Sequence, residues 1–436
     1  MTDPRRATPS TDAVLGAPEL REAALRLGRE RVRAAARKAL QRCRDGEVDA
    51  ADVVATTLAS LPPTAASLRP VINATGILVH TNLGRAPLSA AAVTAMTAAA
   101  GTTDVELDLA TGRRGPRGRG ALAALSAAVP EAGGVHVVNN GAAALALAAV
   151  GMAAGRSIVI ARGELVEIGD GFRIPELLQS VGARLREVGT TNRVHLDDYL
   201  DAIDDDVAFV LKVHPSNFAI TGFTSTVAVR ELATLPVPTV VDIGSGLLRD
   251  HPRLPAEPSA ATALRDGATV VTASGDKLLG GPQCGLLLGE ATTVQALRRH
   301  PVARALRVDK LTLAALEASI AGPATVVAEA LARSPRELRA RAEAAADALA
   351  GTLDVEVVTT AGAVGGGGAP GVELPSAAIA VPDVLAAALR AGDPAVMGRS
   401  HRGRLLLDLL AVPPQEDAFL IAALRAAAER RGGEGD

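Results

Sequence analysis

The chain has 436 residues, 48% of them hydrophobic and 21% charged, with a formal net charge of −3. That length favours two or three domains around a sizeable core and excludes disorder as the default. Cys43 and Cys284 stand apart, which indicates neither a disulfide framework nor a zinc site, and one Tyr with no Trp leaves few rings on which single-stranded nucleic acid stacks.

The N-terminal MTDPRRATPSTDAV has no apolar leader, and no later run is uninterrupted and long enough to cross a bilayer, so a soluble, cytoplasmic protein is expected. Residues 18–44 predict one helix, with Leu25, Val32, Ala36 and Leu40 near one face and Arg26, Arg29, Arg33 and Arg37 on another. From Arg21 to Arg44 there are nine basic residues against two acidic ones, Glu22 and Glu30. Such segregation reads either as a solvated helical face or as a module that meets phosphates. A second helix over about 48–60 stops before Pro62 and Pro63, and residues 1–65 form the expected helical N-terminal domain.

From about residue 135 the texture becomes α/β: short β-branched runs, each followed by Gly, Ser or Asn and a helical stretch. Strands are predicted at 135–138, 157–160, 184–188, 207–213, 238–242, 269–272 and 285–289. Near-continuous apolar runs of this length suit a mostly parallel seven-stranded sheet covered on both faces. This large domain is expected over 66–325, including an N-terminal linker arm. A smaller α+β domain over 326–436 has an Ala-rich helix at 335–351, a strand in LDVEVVTT, a glycine run at Gly365–Gly368 read as a mobile loop, and a closing helix from about 415.

Ligands of open α/β sheets sit beyond the carboxyl ends of the strands. Those ends carry Asn139-Asn140-Gly141-Ala142, a small-residue turn opening a helix; Asp242; and Ser274-Gly275-Asp276-Lys277. A helix N-terminus holds phosphate, a lysine forms a Schiff base, and a carboxylate keeps a pyridine nitrogen protonated, so the set matches pyridoxal 5'-phosphate, with Ser274 a further donor to its phosphate. Singly, each signal is weak, since a strand-end Asp is commonly a helix cap and a lysine in a Gly-rich loop is usually solvated. Ser274-x-x-Lys277 also fits a serine β-lactamase, but no Ser-Asp-Asn or Lys-Thr-Gly element follows.

Seven blocks, among them VINATGILVHTNLGRAPLS (71–89), ARGELVEIGDGFRIPE (161–176), LKVHPSNFAITGF (211–223), SGDKLLGGPQ (274–283) and HPVARALRVDKLTLAALEA (300–318), resemble the bacterial selenocysteine synthases, the L-seryl-tRNA(Sec) selenium transferase family. The resemblance implies a fold-type-I pyridoxal-phosphate transferase with an added tRNA-binding domain, assembled as a homo-oligomeric ring of dimers, a decamer. It implies conversion of L-seryl-tRNA(Sec) to L-selenocysteinyl-tRNA(Sec) with selenophosphate, by β-elimination to aminoacrylyl-tRNA and selenium addition. By segment matching, Lys277 is the Schiff-base lysine and Asp242 the pyridine-nitrogen partner, while Arg85, Arg304 and Arg307 are active-site arginines. Asn140, Gly141, Ala142 and Ser274 fall to the cofactor, and Arg162, Glu164 and His214 are candidates to stack on its ring. Arg399 is a candidate for the small-domain arginine that related folds use for a carboxylate, and the arginines at 113, 114, 117 and 119 form a basic loop that is either solvated or in contact with tRNA or a neighbouring subunit's cofactor phosphate. Cys284 stands where a small residue is expected. The rival readings are a lyase acting on a small amino acid or amino-sugar acid, and a tRNA-binding protein without catalysis.

Overall fold

The computed structural model describes residues 8–432. They form two compact units, one ending at Pro70 and one starting at Val71.

The first unit is helical, with α1 (Thr11–Leu15), α2 (Pro18–Leu27), α3 (Arg29–Arg44) and α4 (Val53–Ala59). The single helix expected over 18–44 is broken at Gly28, whose φ of 91° is one that L side chains rarely adopt. The break resets the helical phase. Leu20, Ala23 and Leu27 turn inward to pack with Val32, Ala36, Leu40 and Cys43, whereas Leu25, expected on the apolar face, is 91% exposed. Arg26 and Arg31 donate to the carbonyls of Pro63 and Ala65, while Arg29, Arg37 and Lys38 face solvent.

The second unit is built on β1 (Gly134–Val138), β2 (Ser157–Ala161), β3 (Arg184–Val188), β4 (Val207–Val213), β5 (Thr239–Gly244), β6 (Val270–Ser274) and β7 (Gly285–Gly289). All seven predicted strands are present, with ends displaced by at most two residues. Their order is β1-β7-β6-β5-β4-β2-β3, parallel except for β7, which runs antiparallel to both neighbours. One face packs on α5 (Gly141–Ala148) through Leu145, Leu147, Ile158, Ile160 and Leu211; the other packs on Leu125 and Leu316. Burial of both faces is why these strands read as unbroken apolar runs.

A five-stranded sheet follows the order Arg399–His401, Arg404–Asp408, Leu374–Pro382, Glu356–Gly365 and Ile77–Val79. The arm at 71–79 thus contributes an edge strand here, parallel to Glu356–Gly365, while Val71–Asn73 pairs with Ala395–Met397. Helices Pro335–Leu349 and Asp417–Gly432 bury Leu338, Leu349, Leu420 and Leu424 in this core. Among the described residues one stretch, 310–332, is long and apolar enough to cross a membrane. Gly322 and Pro323 divide it into Lys310–Ala321 and Val326–Ala332, and Leu316 and Leu331 are buried within the protein.

Candidate active site

A cavity of about 280 Å³ lies at the carboxyl ends of β1, β4, β5 and β6 and is lined by Arg85, Asn140, Gly141, Ala142, His214, Asp242, Ser274 and Lys277. Eight of the predicted site residues are therefore gathered in one place, although they span 193 positions from Arg85 to Lys277. Each strand delivers one part. After β1, Asn140 caps α5 by accepting the Ala143 N–H at 2.8 Å. The Gly141 and Ala142 amides, at the helix start, have no intrahelical acceptor. Gly141 lies against Ser274 so closely that a β-carbon there would overlap the serine hydroxyl.

Asp242 on β5 accepts the Thr272 hydroxyl at 2.8 Å, a contact dictated by the parallel register that sets Thr272 opposite it. It lines the cavity, and burial pushes its carboxyl above the ordinary range, opposed by the Thr272 hydroxyl and the charge of Lys277. Lys277 sits in the turn joining β6 to β7. It is 9% exposed, and burial pushes its ammonium below the ordinary lysine range, partly offset by Asp242 and Asp276. The turn is braced by Gly275 N–H donating to Cys284 O and Gly281 N–H donating to Gly275 O, each near 2.9 Å or below.

Arg85, with a φ of 67°, donates to Asp276 Oδ2 at 2.5 Å, while Ala86 N–H donates to the Asp276 carbonyl. Of the three stacking candidates only His214 lies on the cavity wall. Glu164 accepts Lys212 Nζ and the Val213 N–H, and Arg162 bonds Gly189 O.

Arg304 and Arg307 open instead onto a separate basic cleft of about 560 Å³, with Arg114, Arg117, Arg298 and Arg299. Glu106 is its carboxylate, paired with Arg114, Arg117 and Arg307. Arg307 also borders a cleft of about 820 Å³ shared with Arg85, Asp276 and Gln283, which adjoins the Lys277 cavity. Arg399 lies outside the cavity, donating to Ala361 O and facing buried Asp408 at 3.8 Å. Cys284 is fully buried behind the lysine turn, where burial pushes its thiol up to about 12, so it is a packed neutral group.

The glycine run is a correction to the sequence reading. Gly367, Gly368 and Ala369 are buried, and the run passes directly over the Lys277 side chain. Glu257, which sequence reasoning missed altogether, holds the Ala369 N–H at 2.6 Å and faces His214 at 3.1 Å. No local pattern marks it; only Thr272 was recoverable, from strand register.

The second unit shares its fold with D-glucosaminate-6-phosphate ammonia-lyase, at a TM-score of 0.59 and 20% identity over 83% of this chain and 96% of that one. This is the fold-type-I architecture expected from the sequence. The family model described as L-seryl-tRNA selenium transferase matches residues 71–413, and the selenocysteine synthase N-terminal model matches 5–44. The L-seryl-tRNA(Sec) selenium transferase of Hyphomonas neptunium is 41% identical over 96% of this chain and 99% of its own length. That of Moorella thermoacetica is 45% identical over 84% of each, and that of Carboxydothermus hydrogenoformans 38% identical over 94% of this chain and 95% of its own. With both its helical N-terminal segment and its α/β unit matched, the chain belongs to the L-seryl-tRNA(Sec) selenium transferase family.

Proposed function

We propose that this chain is a pyridoxal-phosphate enzyme that converts L-seryl-tRNA(Sec) to L-selenocysteinyl-tRNA(Sec) with selenophosphate. Beyond the family, one observation carries the reading: Lys277, Asp242 and the capped end of α5 converge on a single cavity. The residues fit the cofactor. The start of α5, with Ser274 beside Gly141, suits a phosphate, and Asp242, a carboxylate out of bulk water, is stabilised by a cation such as a protonated ring nitrogen. Bound there, the cofactor would supply an electron sink for the charge left when serine loses its Cα proton.

The remaining work falls to the protein. Burial favours the neutral amine of Lys277, which can accept the Cα proton as the serine hydroxyl leaves Cβ as water. Selenium then bonds to Cβ as water cleaves its bond to phosphorus and inorganic phosphate departs, and the amine returns a proton to Cα. Asp242 holds the ring-nitrogen proton. Arg85, tethered by Asp276 at the cavity edge, and Arg307 across the adjoining cleft offer planar donors for selenophosphate, with Arg304 behind them. The basic helices of the first unit meet the tRNA, a substrate that implies the cytoplasm. Assembly as a ring of dimers gives exposed Phe218, Ile220 and Phe223 a role between subunits.

Incubating the loaded protein with seryl-tRNA(Sec) and labelled selenophosphate tests this, with label expected on the aminoacyl-tRNA. Ammonia release from a small amino acid or amino-sugar acid, with no selenium transfer, would establish the lyase instead.

A further inference from the structure

Glu257, in the loop after β5, has no part in the reaction outlined above. Its side chain has no exposed surface. Oε2 faces His214 Nε2 at 3.1 Å and accepts the Ala369 N–H at 2.6 Å, while Oε1 is buried with no partner among the described residues. A buried carboxylate with an unpaired oxygen is a costly way to fill space but a strong way to fix two donors.

Both donors belong to the Lys277 site. His214 is on the cavity wall, with its backbone N–H on the Asp242 carbonyl. Ala369 ends the glycine run that covers Lys277, and at Gly367 a β-carbon would stand 2.5 Å from Lys277 Cδ and 2.9 Å from Nζ. Ala369 itself has a φ of 48°, a conformation that a non-glycine residue keeps only where its surroundings over-determine it. The hydrogen bond to Glu257 is the constraint present at that amide.

We propose that Glu257 is a positioning residue that ties the His214 imidazole to the glycine run, so that covering Lys277 and orienting the cavity wall are one event. The proposal rests on the reading of Lys277 as the cofactor-binding lysine. The 3.1 Å contact between Oε2 and Nε2 fixes the ring plane, and the tautomer follows from which of the two atoms donates. The strap over Lys277 excludes water from the amine and confines its side chain.

The test uses the full-length protein, loaded with pyridoxal phosphate and unloaded, as wild type, Glu257→Gln and Glu257→Ala. Hydrogen exchange over residues 365–369, release of pyridoxal phosphate and the visible absorption band are measured. Glu257→Ala should speed exchange over the run and cofactor release by about tenfold, the factor for losing a hydrogen bond to a charged group. Glu257→Gln, which keeps shape and an acceptor, should partly restore slow exchange yet displace the visible band, because His214 has lost its carboxylate. If Glu257→Ala does not fold, Glu257→Gln alone decides. Wild-type exchange and an unmoved band in Glu257→Gln, with Lys277 loaded, would overturn the proposal. Failure of the underlying reading looks different: borohydride would add no cofactor mass to Lys277 in the wild type, while exchange in the unloaded variants would still report on the strap.

Discussion

Gly367 and Lys277 are in direct contact: a β-carbon on the glycine would lie 2.5 Å from Lys277 Cδ, at a backbone φ of 119°. Gly367→Ala therefore combines a strained backbone, of order 1–3 kcal/mol, with a clash against the lysine. It should fold but bind pyridoxal phosphate at least about tenfold more weakly, since each 1.4 kcal/mol is a factor of ten. Gly371→Ala is the control, with a φ of 76° and open space around it, and should load normally in an absorbance titration.

Asp242→Asn should separate stability from function. Burial raises the folded-state carboxyl above its unfolded value of 3.8, so in the unloaded protein its charging costs stability as pH rises through 3.8 toward the raised value. The Asn variant escapes that cost and should melt higher than unloaded wild type across the mildly acidic range. Once pyridoxal phosphate is added the order should reverse. Equal melting of the two proteins in both states would remove Asp242 from the cofactor site.

His136, on the basic cleft, is held to about 4 by burial and by Arg298. Its folded value lies below the unfolded 6.5, so the neutral ring stabilises the fold fully above 6.5, and that contribution is lost as pH falls toward about 4. At about 1.4 kcal/mol per pH unit the loss approaches about 3 kcal/mol. Melting curves of His136→Leu between those limits should be flatter than wild type.

Arg304→Ala and Arg307→Ala should load pyridoxal phosphate and bind seryl-tRNA normally but need at least about tenfold more selenophosphate, the factor expected from one lost charge-assisted hydrogen bond. Lys should not fully rescue either, because a point charge lacks the guanidinium fork. Turnover against selenophosphate concentration decides; wild-type dependence in both would take these arginines out of the reaction. Because Arg304 opens away from the Lys277 cavity within one chain, co-expressed Lys277→Ala and Arg304→Ala chains should regain activity in mixed oligomers if the two residues act across subunits.

Deleting residues 1–62 should leave a folded, loadable protein with weakened tRNA binding. Binding by the full chain should fall steeply with added salt, as phosphate contacts release counterions. Unchanged affinity after truncation would shift recognition to the loop of Arg113–Arg119.

The central sheet was legible because strands buried on both faces announce themselves as apolar runs, and the residues at their ends followed by rule. What stayed hidden depends on contacts made far along the chain. Leu25 was misplaced because Gly28 resets the helix, a backbone choice invisible to periodicity. The glycine run looked like a free loop because low complexity says nothing of what it packs on, here Lys277. Glu257 meets its two partners from positions 43 and 112 residues away, so no spacing betrays it.

The last strand of the sheet in sequence, β7, occupies an inner position between β1 and β6. Until residues 285–289 are in place, β6 is a bare edge and β1 has no partner in the sheet, both are open to pairing with another chain, and the lysine turn has no closing strand. Such non-local closure is slow, so a nascent chain halted before β7 is the species at risk of aggregation. With the cofactor on Lys277 as proposed, restoring colour after denaturant is diluted away should track the slowest phase of refolding rather than the first collapse.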